Sequence, residues 1–194
     1  MPFDRIEDAI EAMAQGSMVL VVDDEDRENE GDIILAAEHA TTESIAFMVR
    51  HTSGMLCVAL PGEELDRLEL PLMVERNTDS LRTAYTVTVD YRHGTSTGIS
   101  AADRAATIRA LVDPAVTPSD FNRPGHVFPL RAVRGGSCIV QATRRRQWIW
   151  LNLPGCGQGV CLPKSSMTTV RWRAARTSRP SLADMACPSF QLPI

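Results

Sequence analysis

The sequence predicts an α+β fold in which helices flank a mixed sheet within a single domain. A length of 194 residues suits one ordinary domain with a sizeable core. A hydrophobic content of 44% is normal for a globular chain. Short β-rich runs and amphipathic helices follow one another without strict βαβ alternation, which favours a mixed sheet over a doubly wound parallel one.

Local patterns assign the elements one by one. Apolar residues at helical spacing define the first helix, β-branched runs define the strands, and Ser or Thr at a helix start marks a cap. The predicted elements in chain order are a helix over 4–15, strands over 18–22 and 33–37, a helix capped by Thr41 or Thr42, a strand over 55–60, a partly helical segment over 65–72, a strand over 83–89, a helix capped by Ser100 and running to about 111, a turn over 122–126 and a strand that begins at 127.

Charge and composition divide the chain near residue 136. Residues 1–136 carry 12 Arg against 23 Asp and Glu, whereas residues 137–194, here called the tail, carry seven Arg and one Lys against a single Asp. All three Trp and four of the five Cys lie in the tail. The tail also lacks helical or strand periodicity, so no regular element and no recognisable domain is predicted there.

The acidic loop, residues 23–32, holds the densest group of chemically active side chains. Seven of its ten residues are carboxylates, and they repel one another unless cations balance them. Most charge runs are only solvated surface. Here two apolar strands hold both ends of the loop, and hard oxygen ligands held in this way suit Mg²⁺. The residues alone do not decide between a solvated surface loop and a Mg²⁺ site.

Five ordered motifs carry a resemblance to a known family. They are VVDDEDRENEGDIILAAEHAT, RHTSGMLCVAL, TAYTVTVD, GTSTGISAADRA and FNRPGHVFPLRA. Together they span about 130 residues, from the N-terminal part to about Gly136. The chain resembles the 3,4-dihydroxy-2-butanone 4-phosphate synthases of riboflavin biosynthesis. These carbon-carbon lyases convert D-ribulose 5-phosphate into L-3,4-dihydroxy-2-butanone 4-phosphate and formate.

The resemblance implies a set of site residues. It makes Glu28 a metal ligand for Mg²⁺, or for Mn²⁺, and it gives substrate contacts to Arg27, Glu28 and Asp32. It implies catalytic roles for the residues His126, Glu30, Asp32, Cys57, Thr97 and Asp103. The reaction begins by removing a proton next to a carbonyl, which requires a base and a cation that stabilises the resulting negative charge.

Some of these residues have simpler explanations. Cys57 lies between Leu56 and Val58, where a buried and inert thiol is as plausible as a functional one. Asp103 lies near a helix start and is a favourable partner for the helix dipole whatever else it does. Of the four His, only His126 falls in a motif that is essential in the family.

The resemblance stops after Gly136. Family members continue with stretches like VLxRxGHTEAAVDLA and NDDGTMAR, which contain the second metal ligand, a His, and further substrate contacts; a catalytic Glu lies shortly before the second stretch. This chain has SCIVQATRRRQWIWL and SMTTVRWRA instead. If each codon is read from the third base of the existing one, residues 141–150 permit GHTEAAVDLA, and the codons from Ser166 onward permit NDDGTMAR. The tail is therefore interpreted as the family's C-terminal third in a shifted frame.

Three functional hypotheses remain. The first is the synthase, impaired because its second metal-ligand segment is missing. The second is a catalytically dead remnant or a ligand-binding module with the same fold. The third is an acidic domain with a basic tail that binds an acidic partner. No apolar run approaches the roughly 20 residues that span a bilayer, and the N-terminus lacks a signal-peptide pattern. We expect a cytoplasmic homodimer that binds a sugar phosphate and neither nucleic acid nor membrane.

Overall fold

A computed structural model describes residues 6–22, 31–79, 82–132, 160–163 and 171–174 of the chain. Their elements, in chain order, are α1 (Ile6–Ala14), β1 (Val19–Val22), β2 (Gly31–Ala36), a 3-10 turn (Ala37–His39), α2 (Thr42–His51), β3 (Leu56–Leu60), α3 (Gly62–Arg67), β4 (Val89–Tyr91), α4 (Ala101–Val112), a 3-10 turn (Pro118–Asp120), β5 (Phe121–Arg131), β6 (Val160–Pro163) and β7 (Arg171–Ala174). The acidic-loop positions 23–30 and most of the tail lie outside the described residues.

The strands within the described residues form one mixed sheet. Their order is β4-β5-β3-β6-β2-β1-β7. β3 and β5 pair in parallel, whereas the other neighbouring strands pair antiparallel. The sheet and its helices confirm the predicted α+β class with a mixed sheet.

One face of the sheet carries the main hydrophobic core. Leu35 of β2, Val58 of β3 and Val127 of β5 join side chains from α2 and α4 there, including Met48 and Ile108. Each of these five residues is no more than 1% exposed. Since side chains alternate along a strand, the residues between these core positions point to the opposite face of the sheet.

Local signals placed the helices well. The Thr41 hydroxyl accepts a hydrogen bond from the Ser44 amide at 3.1 Å, and the Ser100 hydroxyl accepts one from the Asp103 amide at 3.0 Å. Both residues are N-caps that satisfy an otherwise unpaired backbone donor of the first turn. The sequence predicted the cap at Ser100 and gave Thr41 as one of two candidates for the other.

Three predicted segments differ in the structure. Helix α3 covers Gly62–Arg67, so only the start of the predicted segment 65–72 is helical. Residues 83–89 do not form a continuous strand; within the described residues this extended segment makes two isolated bridges, Leu72 with Thr86 and Tyr85 with Leu130. Residues 122–126 are not a separate turn, because β5 runs through them. Between the pairs Asp90–Asn122 and Val89–Val127, however, the ladder shifts its register, so residues 123–126 form a β-bulge. The Arg123–Pro124 peptide bond is cis.

The tail contributes two strands, and the prediction that it holds no regular element is wrong for them. β6 lies between β2 and β3, and β7 lies beside β1. The ladder of a sheet uses main-chain N–H and C=O groups, which nearly every residue type provides. A segment without side-chain periodicity can therefore still occupy a strand position. None of the described helices is long and apolar enough to cross a membrane.

Candidate active site

The candidate active site contains a hydrogen-bonded aspartate–histidine pair. His126 of β5 places its Nδ1 2.7 Å from Oδ2 of Asp90, which lies on β4. The backbone N–H of His126 donates to Oδ1 of the same carboxylate at 2.9 Å. Two hydrogen bonds to one side chain fix both the position and the rotation of the imidazole ring. A carboxylate can only accept, so Nδ1 carries the proton and Nε2 is the acceptor of the neutral ring.

Burial differs across this pair. The Asp90 side chain is 11% exposed, whereas the His126 side chain is 41% exposed. The carboxylate thus lies behind the ring, and the ring extends towards solvent. This arrangement suits a group that exchanges protons with a small molecule while a buried partner holds it in place.

Glycine at position 125 makes the close approach possible. A Cβ atom there would lie 2.0 Å from the carbonyl carbon of Val89, nearer than any side chain tolerates. The Gly125 amide donates to the Thr88 hydroxyl at 3.0 Å. The bulge of β5 is therefore pressed onto the backbone of β4, which brings His126 to Asp90.

A second group of polar residues packs against the same carboxylate. Asp103, in the first turn of α4, accepts hydrogen bonds at Oδ2 from the Ser96 hydroxyl at 2.8 Å and from the Gly98 amide at 3.0 Å. Thr97, exposed, lies between these two donors in the chain. We call residues 96–98 the Ser96–Gly98 turn. The Ser96 hydroxyl is the main reason that the pKa of Asp103 lies below its ordinary value.

Gly98 connects the two groups. Its φ of +85° is in the left-handed region, which favours glycine. A Cβ atom there would lie 2.0 Å from Oδ2 of Asp90. The turn held by Asp103 therefore rests directly on the carboxylate that holds His126.

Cys57 lies on β3, the strand next to β5, and Asp32 lies on the more distant β2. Asp32 and Cys57 are both buried, at 5% and 1% exposure. The strand registers align Leu35, Val58 and Pro129 across β2, β3 and β5, so Asp32, Cys57 and His126 all occupy the face opposite the main core. β2 and β5 are three strand positions apart, roughly 14 Å at the usual spacing. Within one chain the structure brings His126, Asp103 and Thr97 together and leaves Asp32 at a distance.

Three predicted residues, Arg27, Glu28 and Glu30, lie outside the described residues. Among the residues that the structure describes, no three His, Cys, Asp or Glu side chains are grouped so that they could hold a metal ion.

Asp90 was missed by the sequence prediction. It belongs to the motif TAYTVTVD, but it is 36 residues from His126 in the chain. The available signals were an acidic residue at the end of a strand and two glycines, Gly98 and Gly125, in motifs rich in functional side chains. A sequence alone does not say which glycine meets which carboxylate.

Known proteins are similar to this chain in sequence over most of its length. The family model for 3,4-dihydroxy-2-butanone 4-phosphate synthase matches residues 7–142. The synthase of Agrobacterium fabrum is 65% identical over 132 residues, which cover 68% of this chain and 62% of that protein. The synthase of Schizosaccharomyces pombe is 58% identical over 132 residues, which cover 68% of this chain and 65% of that protein.

A solved structure extends the likeness in three dimensions. The crystal structure of a 3,4-dihydroxy-2-butanone 4-phosphate synthase in complex with two magnesium ions aligns with a TM-score of 0.76 at 44% identity. The alignment covers 91% of this chain and 86% of that one. The fold is thus that of a riboflavin-biosynthesis enzyme class. The chain belongs to the 3,4-dihydroxy-2-butanone 4-phosphate synthase family.

Proposed function

We propose that this chain carries the synthase reaction of its family, the conversion of D-ribulose 5-phosphate into L-3,4-dihydroxy-2-butanone 4-phosphate and formate. The Asp90–His126 pair is the observation that carries this proposal, because the reaction needs a base that removes a proton next to a carbonyl. The step balances without an oxidant, since the five-carbon sugar phosphate divides into a four-carbon phosphate and a one-carbon acid.

In this proposal each described residue has a defined task. Nε2 of His126 accepts a proton from substrate and returns it later, while Asp90 keeps the ring in the required tautomer. Thr97 contacts substrate from the Ser96–Gly98 turn. Asp32 and Cys57 act from the same face of the sheet, together with Arg27 and Glu30 of the acidic loop.

The proposed cofactor is Mg²⁺, with Mn²⁺ as a substitute. Glu28 is its proposed ligand, and an all-oxygen loop anchored at both ends by strands is the type of donor that Mg²⁺ selects. When bound, the ion stabilises negative charge on substrate oxygens. The relative that was solved with two magnesium ions supports this choice.

We also propose that the protein works as a homodimer in the cytoplasm. The support for the dimer is geometric, because the strands that carry Asp32 and His126 are roughly 14 Å apart, too far for both residues to contact one small substrate within a single chain. In a homodimer, Asp32 of one copy would lie close to His126 of the other, and together they would form the site. The exposed apolar run Leu72, Met73 and Val74 offers surface for such contact. Light scattering tests this, and a monomer at assay concentrations would contradict it.

Activity is proposed to be impaired in this chain because the tail is in a shifted reading frame. The family model ends at residue 142, close to the change in composition, and the tail sequence permits codons that give the family's motifs in a shifted frame. The sheet pairing of β6 and β7 is compatible with either frame, since main-chain hydrogen bonds depend little on side chains. Resequencing the coding DNA across Gly135 tests this proposal. The alternative is a dead remnant or ligand-binding module with the same fold.

The test of the metal site uses a frame-corrected chain, in which the coding DNA after Gly136 is shifted so that the family motifs are read. Glu28→Ala should abolish formate release from ribulose 5-phosphate in Mg²⁺ buffer, whereas Glu38→Ala, outside the loop, should not. Near-normal turnover in Glu28→Ala would remove Glu28 from the site. If neither parent nor variant released formate, the dead-remnant alternative would be favoured.

A further inference from the structure

We infer that Asp103 is a positioning residue, which holds the Ser96–Gly98 turn against Asp90 and thereby keeps His126 in place. This inference rests on the proposed function for its catalytic meaning. It replaces a role for Asp103 in proton transfer with a mechanical one.

The hydrogen bonds of Asp103 point to this role. Its Oδ2 accepts from Ser96 and Gly98, the two residues that flank Thr97, so one oxygen fixes the turn on both sides. Its backbone is held as well, because the N–H donates to Ser100 and the C=O accepts from the Thr107 hydroxyl at 2.9 Å. The residue is 6% exposed. A carboxylate that is buried, with one oxygen bound by two protein donors, is poorly placed to meet substrate.

The connection to His126 passes through two contacts. Gly98, which donates to Asp103, packs on the carboxylate of Asp90 so closely that a Cβ would overlap Oδ2. Asp90 in turn accepts from the backbone and the ring of His126. Thr107 supports the same frame, because its hydroxyl accepts from the Tyr91 amide, next to Asp90, at 2.9 Å. If the Ser96–Gly98 turn moves, the support beside Asp90 is lost.

Amide hydrogen exchange in the full chain tests the inference without any need for activity. In Asp103→Ala, exchange should accelerate about tenfold or more at Gly98, as expected for loss of a hydrogen bond to a charged group. It should also accelerate at the His126 amide, which Asp103 does not touch. Asp113→Ala is the matched control: it removes a carboxylate that accepts from the Ala115 amide at the far end of α4, so the Ala115 amide should respond and His126 should not.

Two further variants keep the test decisive. Ser96→Ala retains the charge of Asp103 and removes one donor, so it should reproduce a smaller acceleration even if Asp103→Ala does not fold. Asp103→Asn can still accept from the turn and should restore most of the protection. Acceleration confined to Gly98, with His126 unchanged in both alanine variants, would overturn the inference. In the frame-corrected chain, Asp103→Asn should keep kcat within about tenfold, whereas loss of a proton carrier typically costs about 10²–10⁴-fold.

Failure of this inference is distinguishable from failure of the proposed function. The exchange pattern depends only on the folded chain, whereas the lyase proposal depends on formate release. A chain that releases no formate but shows the linked exchange at Gly98 and His126 would keep the positioning role and lose the activity.

Discussion

The described residues contain two aspartate–histidine pairs with the same separation and different surroundings. His126 and Asp90 approach to 2.7 Å, and so do His93 and Asp120. In the first pair the carboxylate is 11% exposed and its ring 41%; in the second the values are 25% and 59%. The distance therefore does not distinguish a site from a surface contact. The difference lies in what holds the carboxylate.

The Asp120 carboxylate accepts hydrogen bonds from a residue three positions earlier in the chain. Its Oδ2 accepts from the amide and the hydroxyl of Thr117 at 2.8 and 2.7 Å, which stabilises the short turn before β5. Asp90, by contrast, directs both oxygens to His126 and is covered by glycines from two motifs. We therefore expect the catalytic pair to be the one whose carboxylate uses both oxygens to hold the histidine and is closely packed by neighbouring residues.

Removing each imidazole should give the largest contrast between the pairs. In the frame-corrected chain, His126→Ala should lower formate release by about 10²–10⁴-fold, the usual contribution of a general acid or base. His93→Ala should change formate release little, because that ring is more exposed and bonds to Asp120, a carboxylate that caps its own turn. A loss below about threefold in His126→Ala, well under that range, would make His126 a structural residue of the bulge.

Replacing the carboxylate should lower kcat in the first pair and leave it unchanged in the second, with a smaller effect than replacing the imidazole. Asp90→Asn keeps the size of the side chain but weakens its hold on the imidazole Nδ1–H, and we expect a loss of about 10–100-fold in kcat, as for other partners that orient a histidine from behind. Asp120→Asn should leave kcat unchanged. Equal kcat values for the two variants would remove the distinction between the pairs.

Glycine substitutions test the close packing of the Ser96–Gly98 turn against the Asp90 carboxylate. Gly98 and Gly94 both have positive φ, +85° and +71°, but only Gly98 meets a neighbour, since a Cβ at Gly94 has nothing within 4 Å. Alanine at either position costs about 1–2 kcal/mol for the left-handed backbone. Gly98→Ala should lower the melting temperature further, by several degrees, at about 2–4 °C per kcal/mol for a chain of this size. Thermal denaturation that gives equal shifts would mean that the turn moves aside easily.

The smallest expected effect is confined to acid. Hydrogen bonds from Thr117, first the hydroxyl and then the amide, and next from His93, lower the pKa of Asp120 from 3.8 to about 2. A lowered pKa in the folded state adds stability above the ordinary value, and that stability is lost as the pH falls towards about 2. The stability difference between the parent and Asp120→Asn should therefore shrink between these two values. Urea unfolding at several pH values measures it, and a constant difference would contradict the assignment.

The sequence predicted the structural features that arise from contacts between residues close together in the chain. The caps at Thr41 and Ser100 are local, because a hydroxyl and an amide three residues apart meet in any helix start. The bulge of β5 was predicted as a turn, since Pro and Gly are typical of turns, but pairing with β4 makes it part of a strand. That pairing joins distant residues and leaves no local signal.

The site was predicted through its motifs rather than through its contacts. His126, Thr97 and Asp103 were chosen because they resemble functional positions, and the structure brings these three together. Their link through Gly98 and Asp90 depends on packing between motifs and was not predicted. Arg27, Glu28 and Glu30 stay predictions, because they lie outside the described residues.

Formate release from D-ribulose 5-phosphate in Mg²⁺ buffer tests the central claim most directly, measured side by side on the chain as it stands, its frame-corrected version and the His126→Ala variant of that version. We predict rapid release by the frame-corrected chain, little by the chain as it stands, and a loss of about 10²–10⁴-fold on removal of His126. Equal release by the two parent chains would contradict the shifted-frame account. Equal release with and without His126 would contradict the assignment of the Asp90–His126 pair as the acid–base centre.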